Sequence, residues 1–388
     1  MHWLNNSSVP LGAFATSLIV ALPACTLHLV LDIESRVAGL RAYRSDRVNS
    51  KAVPASDRTA TLSVQLMQYY TPAYSRGLAE FAITAVPFAT IWYAMYWATL
   101  HGRVWLYVAL LPFAVGFLVR LFVIQHDCGH GAFLPERRAN DWLGRCLGVL
   151  TLTPYAHWNR AHALHHAASG NLDRRGVGDI DTLTVSEYQA RPRWLRARYR
   201  LYRNPLLMLG IGPAFIFLLQ NRIPAGFFRA GWRHWGSTIG TDVSIAGVVI
   251  LMSYCIGFGP FLLVQGPIML LSASIGGWLF YVQHQFVDTY WSRGDKWGFH
   301  DAALHGSSHY DLPPILRWFT ANIGMHHAHH LCSRIPFYRL PLALKRIPEL
   351  HQKIRLTLWQ SFRCVTLTLW DEESRRLVSF REAARMRG

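Results

Sequence analysis

Residues 322–336 read Asn-Ile-Gly-Met-His-His-Ala-His-His-Leu-Cys-Ser-Arg-Ile-Pro, with imidazoles at 326, 327, 329 and 330. A helix turns by about 100° per residue, so a helix over residues 322–331 sets His326, His329 and His330 within roughly a 100° arc of one face. Three rings on one face can converge on a metal ion, because neutral imidazole is the commonest side-chain ligand for one. His327 falls about 60° outside that arc and is the weaker candidate. The competing reading is a solvated turn that happens to be rich in histidine.

Two earlier stretches favour the metal. His126-Asp-Cys-Gly-His130 stacks two rings one turn apart, and His162-Ala-Leu-His165-His166 repeats the i, i+3, i+4 spacing of His326, His329 and His330. Together the three stretches hold eight such histidines. That is too many for one ion and about right for two with positions left open for substrate and oxygen. Ligand type alone does not name the metal, since imidazole suits iron, copper, nickel and zinc.

In order and spacing, His126-x-x-x-His130, His162-x-x-His165-His166 and His326-x-x-His329-His330 resemble the three histidine boxes of the integral-membrane fatty acid desaturases. The likeness spans about residues 60–348. It runs through Trp158-Asn-Arg-Ala-His162, Ser169-Gly-Asn-Leu-Asp-Arg-Arg-Gly176, Gln283-His-Gln-Phe286, Asp288-Thr-Tyr-Trp291 and Leu331-Cys-Ser-Arg-Ile-Pro336, which are similar to the Δ12/omega-6 acyl-lipid branch. The resemblance implies a non-haem centre of two iron ions, O2 as co-substrate, and an external electron donor of the ferredoxin or cytochrome b5 type. It also implies a fatty acyl lipid as substrate, into which a cis double bond is inserted.

The same resemblance implies a further ligand, or a histidine beside the ligands, after the last span, and His284 stands there. Asp127, Asp179, Asp181 and Asn322 lie near the boxes in sequence and could orient ring N–H groups, with turns and helix caps as the competing roles. Trp158 and Arg160 are read as positioning the second box, against plain packing and phosphate contact. His157 is a weaker candidate, roughly 140° from His162 on a helix. At His305 and His309 the family usually carries Glu and an aromatic residue, so that pair reads as a polar cap.

The chain must bring these boxes together. Its 388 residues are 51% apolar and 16% charged, with 15 tryptophans, a balance that points to one membrane-embedded domain. The net charge of +17 is spread between apolar spans instead of along one soluble face, so it suits anionic lipid on the cytoplasmic side and not nucleic acid. Cysteines at 25, 128, 146, 255, 332 and 364 form no Cys-x-x-Cys pair, which suits a reducing compartment.

Residues 77–100 and 104–124 read as one helical hairpin through the bilayer, and 239–257 and 260–282 as a second. The expected fold is therefore all-α, a multi-pass integral membrane protein with about four core transmembrane helices and a cytoplasmic helical cap that carries the di-iron site. Residues 205–220 are short and contain Gly210, Gly212 and Pro213, so they read as an interfacial helix. An even number of crossings between boxes two and three keeps both on one side. Residues 141–155 read as interfacial or re-entrant, and Arg120, near the end of a span, as a side chain that snorkels to the interface. Arginines at 174, 175, 191, 193, 196, 198 and 200 mark the cytoplasmic side.

Residues 1–59 stand apart as an apolar stretch at 9–31, of open status, followed by a basic tail. Residues 60–348 form the desaturase domain, and 349–388 read as a basic cytoplasmic tail. No His-Pro-Gly-Gly haem motif occurs, which argues against a fused cytochrome b5 domain. A sibling di-iron fatty acid hydroxylase or a carotenoid ketolase/hydroxylase would carry the same boxes. A membrane metal-binding or transport protein is the rival from another class, but it would keep ionisable ligands inside its spans.

Overall fold

The computed structural model describes residues 62, 64–176, 178–351 and 355–386, so the apolar stretch 9–31 and the basic segment after it lie outside the described residues. Helices α1 (Tyr74–Leu100) and α2 (Val104–His130) are 27 residues each and pack as a hairpin, reversing at Gly102 with φ of 64°. A helix of that length is about 40 Å long, whereas an apolar bilayer core takes only about 20 residues. Counted from Val104, about 20 residues of α2 match an apolar bilayer core, and the remaining two turns carry His126 and His130. It stops at Gly131, whose φ of 66° is the left-handed conformation that glycine adopts after a helix.

α3 (Arg137–Leu150) has 14 residues, too few to cross a bilayer, in keeping with the interfacial reading of this region. α4 (Tyr155–Ala168) follows and carries the second box. Next come α5 (Arg193–Tyr202), a π-helical turn at Leu207–Ile211 and α6 (Gly212–Leu218). The chain bends by 56° between Arg193–Tyr202 and Leu207–Arg222, so the apolar residues 205–220 belong to a broken element. α7 (Trp232–Ile256) and α8 (Phe258–His284) make the second hairpin, reversing at Gly257 with φ of 86°. Among the described residues four helices, α1, α2, α7 and α8, are long and apolar enough to cross a membrane, with a fifth crossing only if the bent pair is one span. The apolar stretch of α7 is uncovered by protein, as a lipid-facing helix requires.

The segment read from its charge as a basic C-terminal tail is folded onto the cap over residues 355–386. Strand Leu369–Asp371 pairs in parallel with Leu183–Thr184 and antiparallel with Arg376–Val378, and Arg355–Thr357 pairs with His309–Asp311. Arg203, fully buried, donates to the carbonyl of Leu367 at 2.7 Å and to Gln285 Oε1 at 2.9 Å. Charge alone reads this segment as a basic tail because the strands are only three residues long and leave almost no periodic signal.

Arg120 departs from its expected snorkelling. It is 2% exposed, with Nη2 at 2.6 Å from Glu80 Oε2, Nε donating to Thr84 Oγ1 at 3.1 Å, and Nη1 donating to the carbonyl of Trp318. A guanidinium inside a membrane protein is tolerated when a carboxylate answers it, and Glu80 supplies one from α1. Removing one partner of a buried pair leaves an uncompensated charge, at about 3–5 kcal/mol. Glu80→Gln should therefore lower the thermal unfolding midpoint in detergent well below wild type, and Glu80→Gln with Arg120→Met should recover most of the loss. Equal midpoints for wild type and the single variant would show that the pair contributes nothing.

Candidate metal centre

The second and third histidine boxes each divide between two clusters, while both rings of the first box join one of them. The Nε2 or Nδ1 atoms of His126, His130, His162, His166 and His329 lie within 4.8 Å of one another, and so do those of His165, His284, His326 and His330. The cause is helical geometry. From residue i, the i+4 ring is rotated by about +40° and the i+3 ring by about −60°, so the last two rings diverge by about 100°. On α4, His162 and His166 turn to the first cluster and His165 to the second. On α9 (His326–Leu331) the pattern inverts, with His326 and His330 in the second cluster and His329 in the first. The expectation that three rings on one face serve a single ion therefore fails, and one arc serves two.

The expected helix over residues 322–331 starts only at His326, because Ala321 and Asn322 take φ of 45° and 57°, the left-handed region. Asn322 Nδ2 donates to the carbonyl of Phe337 at 3.2 Å, so this residue braces the turn before the box instead of orienting a ring.

In the second cluster the Nε2 atoms form a closed circuit, His165 to His284 at 3.2 Å, His284 to His326 at 3.0 Å, His326 to His330 at 3.1 Å and His330 to His165 at 3.3 Å. In the first, a run of contacts links His130 to His162 at 3.1 Å, His162 to His166 at 3.1 Å and His166 to His329 at 3.2 Å. His126 closes it, its ring 4.5 Å from that of His329 and 4.7 Å from those of His130 and His162. A neutral imidazole nitrogen either donates or accepts, never both. Pairwise N–H···N bonds therefore cannot satisfy a closed circuit of four such atoms, whereas one central cation accepts all four lone pairs. Ligands about 2.1 Å from a common ion and about 90° apart stand about 3 Å from each other, which is the spacing seen. The clusters abut, with the rings of His166 and His330 stacked at 4.2 Å. Nine donors in two adjoining groups fit two metal ions.

Burial, and secondarily the neighbouring rings, hold His162, His166, His326, His329 and His330 well below the usual imidazole pKa. These rings are neutral at physiological pH and present lone pairs. Three other rings of the clusters are oriented through their second ring nitrogen. His165 Nδ1 contacts the Asp179 carboxylate, His126 Nδ1 lies 3.2 Å from Asp127 Oδ1, and His284 Nδ1 lies 3.2 Å from the carbonyl of Gly306. Asp127 Oδ2 also accepts from the Phe337 amide at 2.7 Å, which ties the first box to the loop after the third. Trp158 stacks on His162 at 4.8 Å, and a Cβ at position 129 would come within 3.0 Å of its ring, so the glycine inside the first box makes room for it.

The other candidates stand elsewhere. Arg160 lies half-buried on α4, and Asp181 offers its carbonyl to the Tyr199 hydroxyl at 3.3 Å. His157 packs edge-on against Phe227 at 5.3 Å, where burial lowers its pKa to about 4. His327 sets Nε2 at 2.9 Å from the carbonyl of Leu350, and burial lowers its pKa likewise to about 4. His309 lies beside His327 at 5.6 Å and His305 is exposed, both outside the clusters. His284 was legible only by its place, as the last residue of the fourth long helix.

A sequence profile of the fatty acid desaturase family matches residues 103–362. A fatty acid desaturase of Bacillus subtilis is 43% identical over 323 residues, 82% of this chain and 90% of the relative. An sn-1 acyl-lipid omega-3 desaturase (ferredoxin) of Synechocystis is 30% identical, covering 62% of this chain and 68% of the relative. An sn-1 oleoyl-lipid 12-desaturase of Anabaena variabilis is 26% identical, covering 66% and 75%.

The two-cluster arrangement makes a stoichiometric prediction. Protein purified with its metal should hold about two ions per chain by elemental analysis. His284→Ala should lose about half of them, and His327→Ala should keep both. Equal metal content in His284→Ala and wild type would remove His284 from the ligand set.

Proposed function

The chain belongs to the fatty acid desaturase family, and we propose that it inserts a cis double bond into a fatty acyl chain of a membrane lipid at a pair of iron ions held by the nine clustered histidines. The observation that carries this reading is the closed circuit of His165, His284, His326 and His330 against the five-ring cluster, which together offer more neutral nitrogen donors than one ion takes. Bound there, iron supplies oxygen activation and an oxidant strong enough to take hydrogen from an unactivated methylene, chemistry beyond any side-chain acid, base or nucleophile. Two hydrogens leave adjacent carbons, and dioxygen, with two electrons and two protons from outside, becomes two waters.

The residues of the chain do the positioning. Neutral rings keep their lone pairs on the ions, Asp127, Asp179 and the Gly306 carbonyl fix three ring tautomers, and the surrounding apolar core keeps water away from the reacting carbons. The first box and His284 at the ends of two long apolar helices support a centre at one boundary of the bilayer. The arginine-rich segment between the second box and α6 supports the cytoplasmic boundary by the positive-inside rule. An external carrier of the ferredoxin or cytochrome b5 type supplies electrons. The stretches shared with the Δ12/omega-6 branch, and the 12-desaturase relative, support oleoyl chains as the first substrate to try.

Lipids extracted from a host expressing the chain should gain a diunsaturated C18 acid, seen by gas chromatography with double-bond localisation. A monounsaturated product would move the position, and a hydroxylated product would replace desaturation by the sibling hydroxylase reaction. Asp179→Asn should cut turnover about 10- to 100-fold, as loss of a ligand's carboxylate partner does, with insertion into membranes unchanged. Wild-type turnover in that variant would detach Asp179 from the site.

A further inference from the structure

A cleft of about 420 Å3, whose walls include none of the clustered histidines, is lined by Asp311, Leu312, Pro314, Arg317, Arg355 and Trp359 among others. Its polar side carries excess positive charge. Arg355 is paired, its Nε 2.8 Å from Asp311 Oδ2, whereas the Arg317 guanidinium has no hydrogen bond or ion pair among the described residues. The rim is apolar and open: Trp359 is 79% exposed, Ile315 71% and Phe362 52%, and Leu316 and Trp318 of the same short helix as Arg317 are exposed as well. So much contiguous exposed apolar surface marks a contact with something other than water.

The spans say what that is. Phe117 of α2 meets Trp318 and Phe319 edge-on at 5.8 and 5.2 Å, and Trp278 of α8 meets Phe362 at 5.5 Å. Phe117 lies nine residues before His126, and Trp278 six before His284. At 1.5 Å per residue the rim is thus about 14 and 9 Å nearer the bilayer centre than those ligands. The rim therefore lies below the level of the ligands, alongside the apolar part of the spans, where an arginine reaches the headgroups by extending its side chain toward the interface.

We propose that this cleft is a binding site for an anionic phospholipid, with Arg317 donating to the phosphate and Trp359, Ile315 and Phe362 resting among the first acyl carbons. The proposal rests on the membrane placement of the spans and not on the reaction. A soluble phosphate has no use for the exposed rim, and a zwitterionic lipid gains less from the uncompensated guanidinium, so the leaflet's acidic lipids are the occupants. Strand His309–Asp311 forms one wall, and it bridges to Met325, the residue before His326. A lipid held here sits one strand away from the third box, so the headgroup charge of the leaflet biases which lipids dwell beside the centre.

The test uses the full chain in mild detergent and native mass spectrometry. Phosphatidylglycerol, phosphatidylcholine with the same acyl chains, and glycerol 3-phosphate are added in turn. Wild type should retain one phosphatidylglycerol per chain, prefer it to phosphatidylcholine, and keep it in the presence of excess glycerol 3-phosphate. Arg317→Gln should weaken retention about tenfold, the scale of a lost charge-assisted hydrogen bond. Trp359→Ala serves as the independent variant should Arg317→Gln not fold, and it should also weaken retention. Equal retention of the two lipids, displacement by glycerol 3-phosphate, or wild-type retention in a folded variant would each overturn the site. Because no turnover is read, failure here leaves the assignment of the reaction untouched, and failure of the reaction leaves this result standing.

Discussion

Nine imidazole nitrogens gathered in two groups, each within 4.8 Å, are an arrangement that a protein interior does not tolerate by itself. Each neutral ring has one lone pair to direct, and converging lone pairs repel unless a cation stands among them. The rest of the molecule can be understood as the apparatus that holds the rings there. Regular helices do most of it: the last two turns of α2 carry the first box, α8 ends on His284, and α4 and α9 bring the other two boxes to them. A site built on helices is held more tightly than one built on loops.

The division of the second and third boxes has a structural consequence. Each of these two short helices contributes to both clusters, α4 with two rings to the first and one to the second, α9 with one and two. Neither cluster is an independent module. A rotation of α4 that improves the approach of His162 and His166 to one ion moves His165 relative to the other, so the two positions are mechanically linked through the same two turns of helix. The stacking of His166 on His330 at 4.2 Å across the boundary leaves little room to relieve that linkage by side-chain movement.

The parts of this design that were legible in the sequence are those with a local code. Spacing of i, i+3 and i+4 named the eight box histidines, and long apolar runs named the four membrane-length helices to within a few residues at most ends. Helical periodicity also separated His326 from His327. The allotment of rings to clusters was out of reach, because it depends on how α4 and α9 face each other, which no single helix encodes. Arg120 was misread for a similar reason: an arginine near the end of a span looks like a snorkelling side chain until its partner, forty residues earlier on α1, is known. The folded C-terminal residues were invisible because three-residue strands pair with segments far away in sequence.

The loop that carries the third box shows how the polar interior serves the metal centre. Arg120 holds the carbonyl of Trp318 before the box, and its guanidinium lies 4.1 Å from the Trp318 ring. Beyond the box, Asp127 takes the amide of Phe337, while Asn322 takes its carbonyl. Residues 318–337 are thus fastened at both ends, by Arg120 and Asp127, to the helix that bears the first box. The buried ion pair with Glu80 is part of that fastening, since an arginine without its carboxylate would be driven to find water and would release the Trp318 carbonyl. The first and third boxes accordingly form one registered unit on α2. The second box reaches it from another direction, through the stacking of Trp158 and the contact between His165 and Asp179.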